Sequence, residues 1–222
     1  MRGSAGMRTY KVFIFIKTIA ITLFAMAAGA GCCYRIMAEP QPYIMPFESI
    51  SYEIETFGYN TNIFEPTDNN SEIQSYINNV YKTTESGQFG SDRYAFLFAP
   101  GTYSDSLNVE IGFYTQVAGL GLTPTETTVG NIRSKAEWMK GRKYDGGVNY
   151  NALCNFWRSV ENLTTTSKST IWAVSQATSM RRMNIKGNLN LHHEGGYASG
   201  GFLADSKIAG RKYTYKDRKT GK

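Results

Sequence analysis

Cysteine, histidine and proline are scarce in this chain. Three of its 222 residues are cysteine, and two of them, Cys32 and Cys33, lie in the N-terminal stretch. Cys154 is left alone, which excludes an internal disulfide framework; as a small apolar residue it reads as buried filler rather than a catalytic thiol. The two histidines, His192 and His193, are adjacent, and neighbouring residues of a strand point to opposite faces. With no HExxH pattern and no third histidine, a zinc-type site is not expected. No run of acidic residues supplies the clustered oxygens that calcium needs, so neither a metal nor another cofactor is expected. Gly119-Leu120-Gly121 lacks the third glycine and the Lys-Ser/Thr of a phosphate loop and reads as a turn. No Gly-x-Ser-x-Gly elbow singles out a serine nucleophile.

Acidic residues are also outnumbered, by 24 basic to 18, for a formal charge of +6. That excess sits at the ends. Arg2, Arg8, Lys11, Lys17 and Arg35 place +5 in residues 1–38; six basic residues against Asp217 place another +5 in residues 211–222. Taken from +6, these leave −4 for residues 39–210, which argues against a nucleic-acid partner for the folded middle. The N-terminus has the layout of an export signal: Arg2, Arg8 and Lys11 precede the apolar run VFIFIKTIAITLFAMAAGAG, and small residues follow. Cleavage fits after Ala30 or after Ala38. Gly29-Ala30-Gly31-Cys32 also resembles a lipobox, with Gly29 where leucine is usual, so contact with a membrane is expected only through this signal or a lipid on Cys32. A retained span is disfavoured by Lys17 inside the run. The expected organisation is a signal over 1–38, one folded domain over 39–210 and a basic tail or hairpin over 211–222, with the protein secreted or held at the cell surface.

What is plentiful points to β structure. The chain is 41% hydrophobic, with 22 glycines, 15 tyrosines and 12 phenylalanines, enough at this length for one sizeable core or two small ones. SISYEIETF alternates polar and apolar residues in strand fashion. Ile73, Tyr76, Ile77 and Val80 fall on one face, which predicts a single helix over 70–83 with Asp68 or Asn70 as its cap. From residue 93 onward short β runs are separated by Gly, Asn, Thr and Pro with no helical period, and residues 134–151 form a polar, glycine-containing excursion. A loose repeat runs through ENLTT, RMNI and DSKI. Each carries a pair two residues apart, Leu163/Thr165, Met183/Ile185 and Ser206/Ile208, recurring after 20 and then 23 residues. That step suits the coil of a parallel β-helix; strands of an antiparallel sandwich, the competing architecture, recur at roughly 8–12 residues.

The stretch YAFLFAPGTYSDSLNVEIGFYTQVAGLGLTPTETTV resembles the first coils of the pectate-lyase-like right-handed β-helix superfamily, in which a strand, a Pro-Gly-Thr-Tyr turn and a Val-x-Gly-x-Gly segment occur in that order. NFWRSVENLT, WAVSQATSMRRMNIKGNLNL and SGGFLADSKIAG resemble a group of secreted bacterial proteins similar to glycoside hydrolase family 55 glucanases. The likeness covers roughly residues 47–210. It implies an all-β chain, the first few coils of a right-handed parallel β-helix with one short N-terminal capping helix. It also implies an exported carbohydrate-active protein, glycoside hydrolase-like rather than a polysaccharide lyase, acting on a polysaccharide such as a glucan. Proteins of this kind are far longer, so catalytic acids can lie beyond residue 222, and none is carried over.

Two carboxylates flanking a sugar are the usual machinery of glycoside hydrolysis. The candidates are Asp205, placed within a strand where neighbouring coils would hold it, Glu161 and Glu194. An ion pair between stacked coils, with Arg182 as the rough counterpart of Asp205 one coil earlier, explains that aspartate without chemistry. Trp157, Arg158, Trp172, Gln176, Arg181 and Tyr197 are candidate substrate contacts, the aromatics stacking on sugar rings and the others bonding hydroxyls; packing between coils is the alternative. Within NFWRSVENLTTT, Asn162 heads a glycosylation sequon but aligns with a coil turn, and Val160, Leu163 and Thr165 become rung positions. Trp157, Arg158 and Glu161 are then left for the outer side. Two further readings compete with an enzyme: a glycan-binding or adhesive β-helix without catalysis, and an inactive fragment of a longer enzyme.

Overall fold

The computed structural model describes residues 58–142, 148–198 and 201–213; the expected export signal, the strand in SISYEIETF and most of the basic tail lie outside them. Among the described residues the first elements are β1 (Thr61–Phe64) and α1 (Asn70–Thr84). It then winds through coils of three strands each. The first coil holds β2 (Tyr94–Phe98), β3 (Gly101–Thr102) and β4 (Asn108–Glu110), and the second β5 (Thr115–Gly119), β6 (Thr127–Val129) and β7 (Asn131–Ser134). A hairpin of β8 (Lys140–Arg142) and β9 (Val148–Tyr150) interrupts the winding. The third coil is β10 (Arg158–Glu161), β11 (Thr164–Thr165) and β12 (Ser169–Trp172); the fourth is β13 (Thr178–Arg181), β14 (Asn184–Ile185) and β15 (Asn188–Asn190). β16 (Phe202–Ala204), β17 (Lys207–Ile208) and β18 (Lys212–Tyr213) make the fifth.

Strands that share a place in their coils pair in parallel, giving three walls: β1-β2-β5-β10-β13-β16, β3-β6-β11-β14-β17 and β4-β7-β12-β15-β18. This is the right-handed parallel β-helix, not the sandwich, and the repeat found in the sequence is its rung. Thr165, Ile185 and Ile208 lie in register on the second wall. Parallel pairing cannot be closed by tight hairpins, and twisted strands joined by crossovers favour the right-handed path. Lys212–Tyr213 extend the third wall past residue 210.

Alternation along the first wall decides what is inside. Phe96, Val117, Val160 and Met180 share one inward column and are fully buried. On the other walls Val129 and Ile132 are likewise fully buried. Burial of such side chains contributes about 1.5–3 kcal/mol each. Leu163 and Met183 close the corner between the first and second walls.

Those corners need a backbone conformation that side chains resist. The residue after each of the last three strands of the first wall lies in the left-handed region: Asn162 at φ 58°, Arg182 at 52° and Asp205 at 48°. Asp205 is therefore a corner residue rather than part of a strand, a correction to its expected place. Asn tolerates this region better than most residues. The Asn162 amide also donates to the carbonyls of Gly119 (2.8 Å) and Gly121 (2.6 Å), so the sequon asparagine is a structural bracket. Gly119 must stay bare, because a Cβ there would stand 2.2 Å from the Asn162 carbonyl oxygen.

α1 closes the beginning of the helix. Its Ile73, Ile77 and Val80 enter the core. Its cap is Asn69, which accepts from the Ser71 N–H at 2.9 Å, not Asp68 or Asn70. Asp68 accepts from Glu65 N, and Asn70 accepts from Ser104 N at 3.1 Å. Gln74 completes the edge: its amide donates to the Asn108 carbonyl (3.0 Å) and accepts from the Asn108 N–H (2.8 Å). A helix side chain thus takes the place of a missing strand beside β4, where bare edge groups invite wrong pairing. Among the described residues no helix is long and apolar enough to cross a membrane.

Two substitutions test this account by urea denaturation. Gln74→Ala, losing both edge bonds, is expected to destabilise by about 1–3 kcal/mol. Gly119→Ala, which forces the coils apart, is expected to cost roughly 3 kcal/mol or more.

Candidate functional site

The outer face of the first wall carries a polar floor. In register from coil to coil stand Gln116, Ser159, Ser179 and Phe202, and beside them Ala118, Glu161, Arg181 and Ala204. Along one border runs an aromatic stack. Tyr114 and Trp157 occupy the residue just before β5 and β10, both left-handed at φ 54° and 49°. Successive rungs lie about 4.8 Å apart, which matches ring stacking, and the two rings lie 5.1 Å apart and 8° from parallel. The Arg93 guanidinium covers Tyr114 at 3.5 Å. One rung further on the same corner holds Ala177, also left-handed, too small to cover the indole. Trp157 remains 39% exposed and Phe202 58%. Between them opens a depression of ≈ 550 Å³ lined by Tyr114, Gln116, Trp157, Ser159, Ser179 and Phe202 among others.

The opposite border is the loop between β5 and β6. The Asn162 amide bonds it at Gly121, the Arg182 guanidinium donates to the Leu122 carbonyl at 2.9 Å, and the Thr164 hydroxyl donates to the Pro124 carbonyl at 2.7 Å. Leu122 stands 86% exposed at its crest.

The candidate residues separate into three places. Trp157 lines the depression, and Glu161 and Arg181 share the neighbouring outward column. Asp205 joins them from its corner, its Oδ2 3.5 Å from Arg181 Nε with the carboxylate largely exposed. The ion pair between stacked coils therefore exists, with Arg181 rather than Arg182 as the partner. Gln176 is exposed beside Ala177 and accepts from the Ser175 hydroxyl.

Glu194 and Tyr197 lie elsewhere, on the segment that packs against the hairpin. Both are exposed, and the Tyr197 carbonyl accepts from Ala152 N. The histidines there have separate duties. His192 Nδ1 accepts from Gly195 N at 2.9 Å. His193 turns into a small core, its ring 4.0 Å from Tyr150, Nδ1 accepting from Ala136 N, and Nε2 3.7 Å from Glu137. Among the described residues no three His, Cys, Asp or Glu side chains come together to hold a metal ion.

Two assignments are overturned. Trp172 is 2% exposed and belongs to the core, so it cannot stack on a sugar. Arg158 does not face outward: as the first residue of β10 it points into the helix and is 4% exposed. Its Nε donates to the Phe156 carbonyl (3.1 Å), and its Nη1 donates to the Ile111 carbonyl (2.9 Å) and the Ser134 hydroxyl (3.1 Å). The guanidinium lies 4.7 Å above the Phe113 ring. Burial pushes its pKa down to about 10, opposed by Tyr81 and Glu85, so it stays charged at neutral pH. Tyr114, Gln116, Ser159, Ser179 and Phe202 were not singled out from the sequence. Each is recoverable only by laying the coils in register, since no local motif marks them.

The described coils thus carry an exposed aromatic stack beside a hydroxyl- and amide-lined floor on a right-handed parallel β-helix. The chain belongs to the rhamnogalacturonase A/epimerase, pectate lyase-like family, whose pattern matches residues 54–218. It is 48% identical over 162 residues to an exo-beta-1,3-glucanase of Streptomyces sp. (strain SirexAA-E / ActE), a match that takes in 71% of this chain and 25% of the relative. The structure of sacteLam55A from Streptomyces sp. SirexAA-E superposes with a TM-score of 0.63 at 47% identity, over 71% of this chain and 27% of that one. A single-residue variant of sacteLam55A in complex with glucose gives 0.60 at 48% identity, over 68% and 26% of the two chains. The chain thus spans about a quarter of the length of these relatives. The resemblance to glucanases read from NFWRSVENLT and its neighbours is borne out.

Protonation offers a test of the His193 contact. Burial holds its pKa below the ordinary 6.5, with Glu137 and Glu194 opposing and Lys135 and His192 reinforcing the shift. Protonating Nδ1 would also end its acceptance from Ala136 N. The unfolded chain takes up the proton first, so this contribution is full above about pH 6.5 and declines as pH falls towards the lowered folded value. His192 shifts in the same direction. The stability difference between wild type and His193→Phe, from denaturation at several pH values, is expected to shrink from pH 7.5 to pH 5.

Proposed function

We propose that this chain supplies a glucan-binding groove to an exported, glycoside hydrolase-like protein that acts on a β-1,3-linked polysaccharide. The observation that carries the reading is the Tyr114–Trp157 stack, whose uncovered indole face borders Gln116, Ser159 and Ser179. The C–H face of a pyranose stacks on such a ring, while its hydroxyls find hydroxyl and amide partners on the floor. Likeness to an exo-beta-1,3-glucanase over 71% of this chain supports the choice of polysaccharide. The basic and apolar N-terminal stretch supports export.

For hydrolysis, the acids on this face are Glu161 and Asp205. Asp205 stands largely in solvent, engaged by Arg181. Glu161, half-buried in the floor's second column, is the better placed of the two. That same exposure of Asp205 favours a second reading, glycan binding without catalysis in this chain. The two readings part on sugar release. Under the first, Glu161→Gln abolishes the reducing sugar released from soluble β-1,3-glucan; under the second, there is none to abolish, and binding persists in Asp205→Asn.

Binding itself is tested by titration calorimetry with soluble β-1,3-glucan. Trp157→Ala is expected to weaken affinity about tenfold, the size of one lost stacking contact. Equal affinity of wild type and Trp157→Ala would remove the groove from consideration.

A further inference from the structure

The first residue of a first-wall strand repeatedly bonds backward across the left-handed corner before it. The Thr115 hydroxyl donates to the Phe113 carbonyl across Tyr114, and the Thr178 hydroxyl donates to the Ser175 carbonyl across Ala177. At the intervening rung Arg158 does the same, its Nε reaching the Phe156 carbonyl across Trp157. Threonine is sufficient for this bond, so the bond alone does not call for arginine. What arginine adds is reach. Nη1 continues to the Ile111 carbonyl and the Ser134 hydroxyl, and the guanidinium covers Phe113.

Those extra contacts converge on the indole. Phe113 packs on Trp157 with centroids 6.3 Å apart. Tyr114, the next residue, stacks on Trp157 and donates its N–H to the Trp157 carbonyl at 2.6 Å. Ile111 and Phe113 belong to the turn below; Phe156 belongs to the corner of Trp157 itself. One buried cation therefore joins the two corners whose rings form the stack. A charge placed in the interior is costly, the more so here because Arg158 Nη2 is buried without a hydrogen-bond partner, and a left-handed bulky residue is strained. Their coincidence at this rung, with short hydroxyl side chains at the rungs on either side, marks a position held for something other than packing.

We propose that Arg158 is a positioning residue, a clamp inside the helix that fixes the attitude of Trp157 and so keeps the aromatic border of the groove in stacking register. The sugar-binding consequence rests on the groove reading given above; the effect on Trp157 does not. Two variants test it in the full chain, Arg158→Met, which keeps the apolar stem, and Arg158→Lys, which keeps a charge but cannot fork to several acceptors. Far-UV circular dichroism establishes that each is folded at 20 °C. The attitude of Trp157 is read as the near-UV signal that wild type has and Trp157→Phe lacks.

In Arg158→Met that signal is expected to vanish and affinity for soluble β-1,3-glucan to fall about tenfold, as in Trp157→Ala. Arg158→Lys is expected to lose part of both. A purely structural arginine would lower the unfolding midpoint but leave both readouts untouched in folded protein; that result in either variant overturns the proposal. Loss of the near-UV signal in a protein whose wild type binds no glucan would retain the clamp and discard the groove. If Arg158→Met does not fold, Arg158→Lys alone decides, full wild-type signal and affinity counting against the clamp.

Discussion

Strands of successive coils pair in register about 4.8 Å apart, and every column of side chains inherits that spacing. Inside, it stacks Phe96, Val117, Val160 and Met180 into one continuous apolar post. Outside, it sets Tyr114 and Trp157 at the distance of stacked rings without any loop having to reach. A register shift of one residue would exchange the two faces. Floor and core are therefore guaranteed by the same backbone ladder, and α1 protects its start through Gln74 and Asn70.

The corners carry the strain that the ladder imposes. Tyr114, Trp157 and Ala177 precede strands of the first wall, and Asn162, Arg182 and Asp205 follow them, all with positive φ. Such conformations persist only where the surroundings over-determine them. Here the bonds are explicit: Asn162 to Gly119 and Gly121, Arg182 to Leu122, Thr178 to Ser175, Arg158 to Phe156. Side chains at these corners project beyond the wall, which is why the groove's borders are built there. Off the ladder, Asn155 ties the base of the hairpin excursion, accepting from the Trp138 indole and donating to the Lys135 and Ala173 carbonyls, each at 2.7 Å. No local pattern marks it, because an asparagine in a loop carries no sign of being fully buried.

Legibility followed periodicity. The pairs Leu163/Thr165 and Met183/Ile185 revealed the rung because inward positions must be apolar or small at every coil. The apolar face of α1 revealed the helix but not its cap, since Asp68, Asn69 and Asn70 are all able caps and tertiary bonds chose among them. Trp172 and Arg158 were misplaced for a related reason. Residue type suggested an outer, sugar-facing role, whereas facing is set by position within the strand, and the strand's first residue is known only once its corner is known. Residue type likewise says nothing of the left-handed corner that holds Asp205.

By itself, the sequence determined the coil length, the β-helix, the capping helix and the kinship with glucanases, because each is written in local strings and their spacing. Tertiary structure decided which side chains meet. Tyr114 and Trp157 are 43 residues apart yet stacked, and Gln116, Ser159 and Ser179 form one floor from three coils. Arg158, beside Trp157 in the chain, faces the opposite way. Contacts between coils depend on register summed over whole turns, including the loops of unequal length between them, and no local pattern encodes that sum.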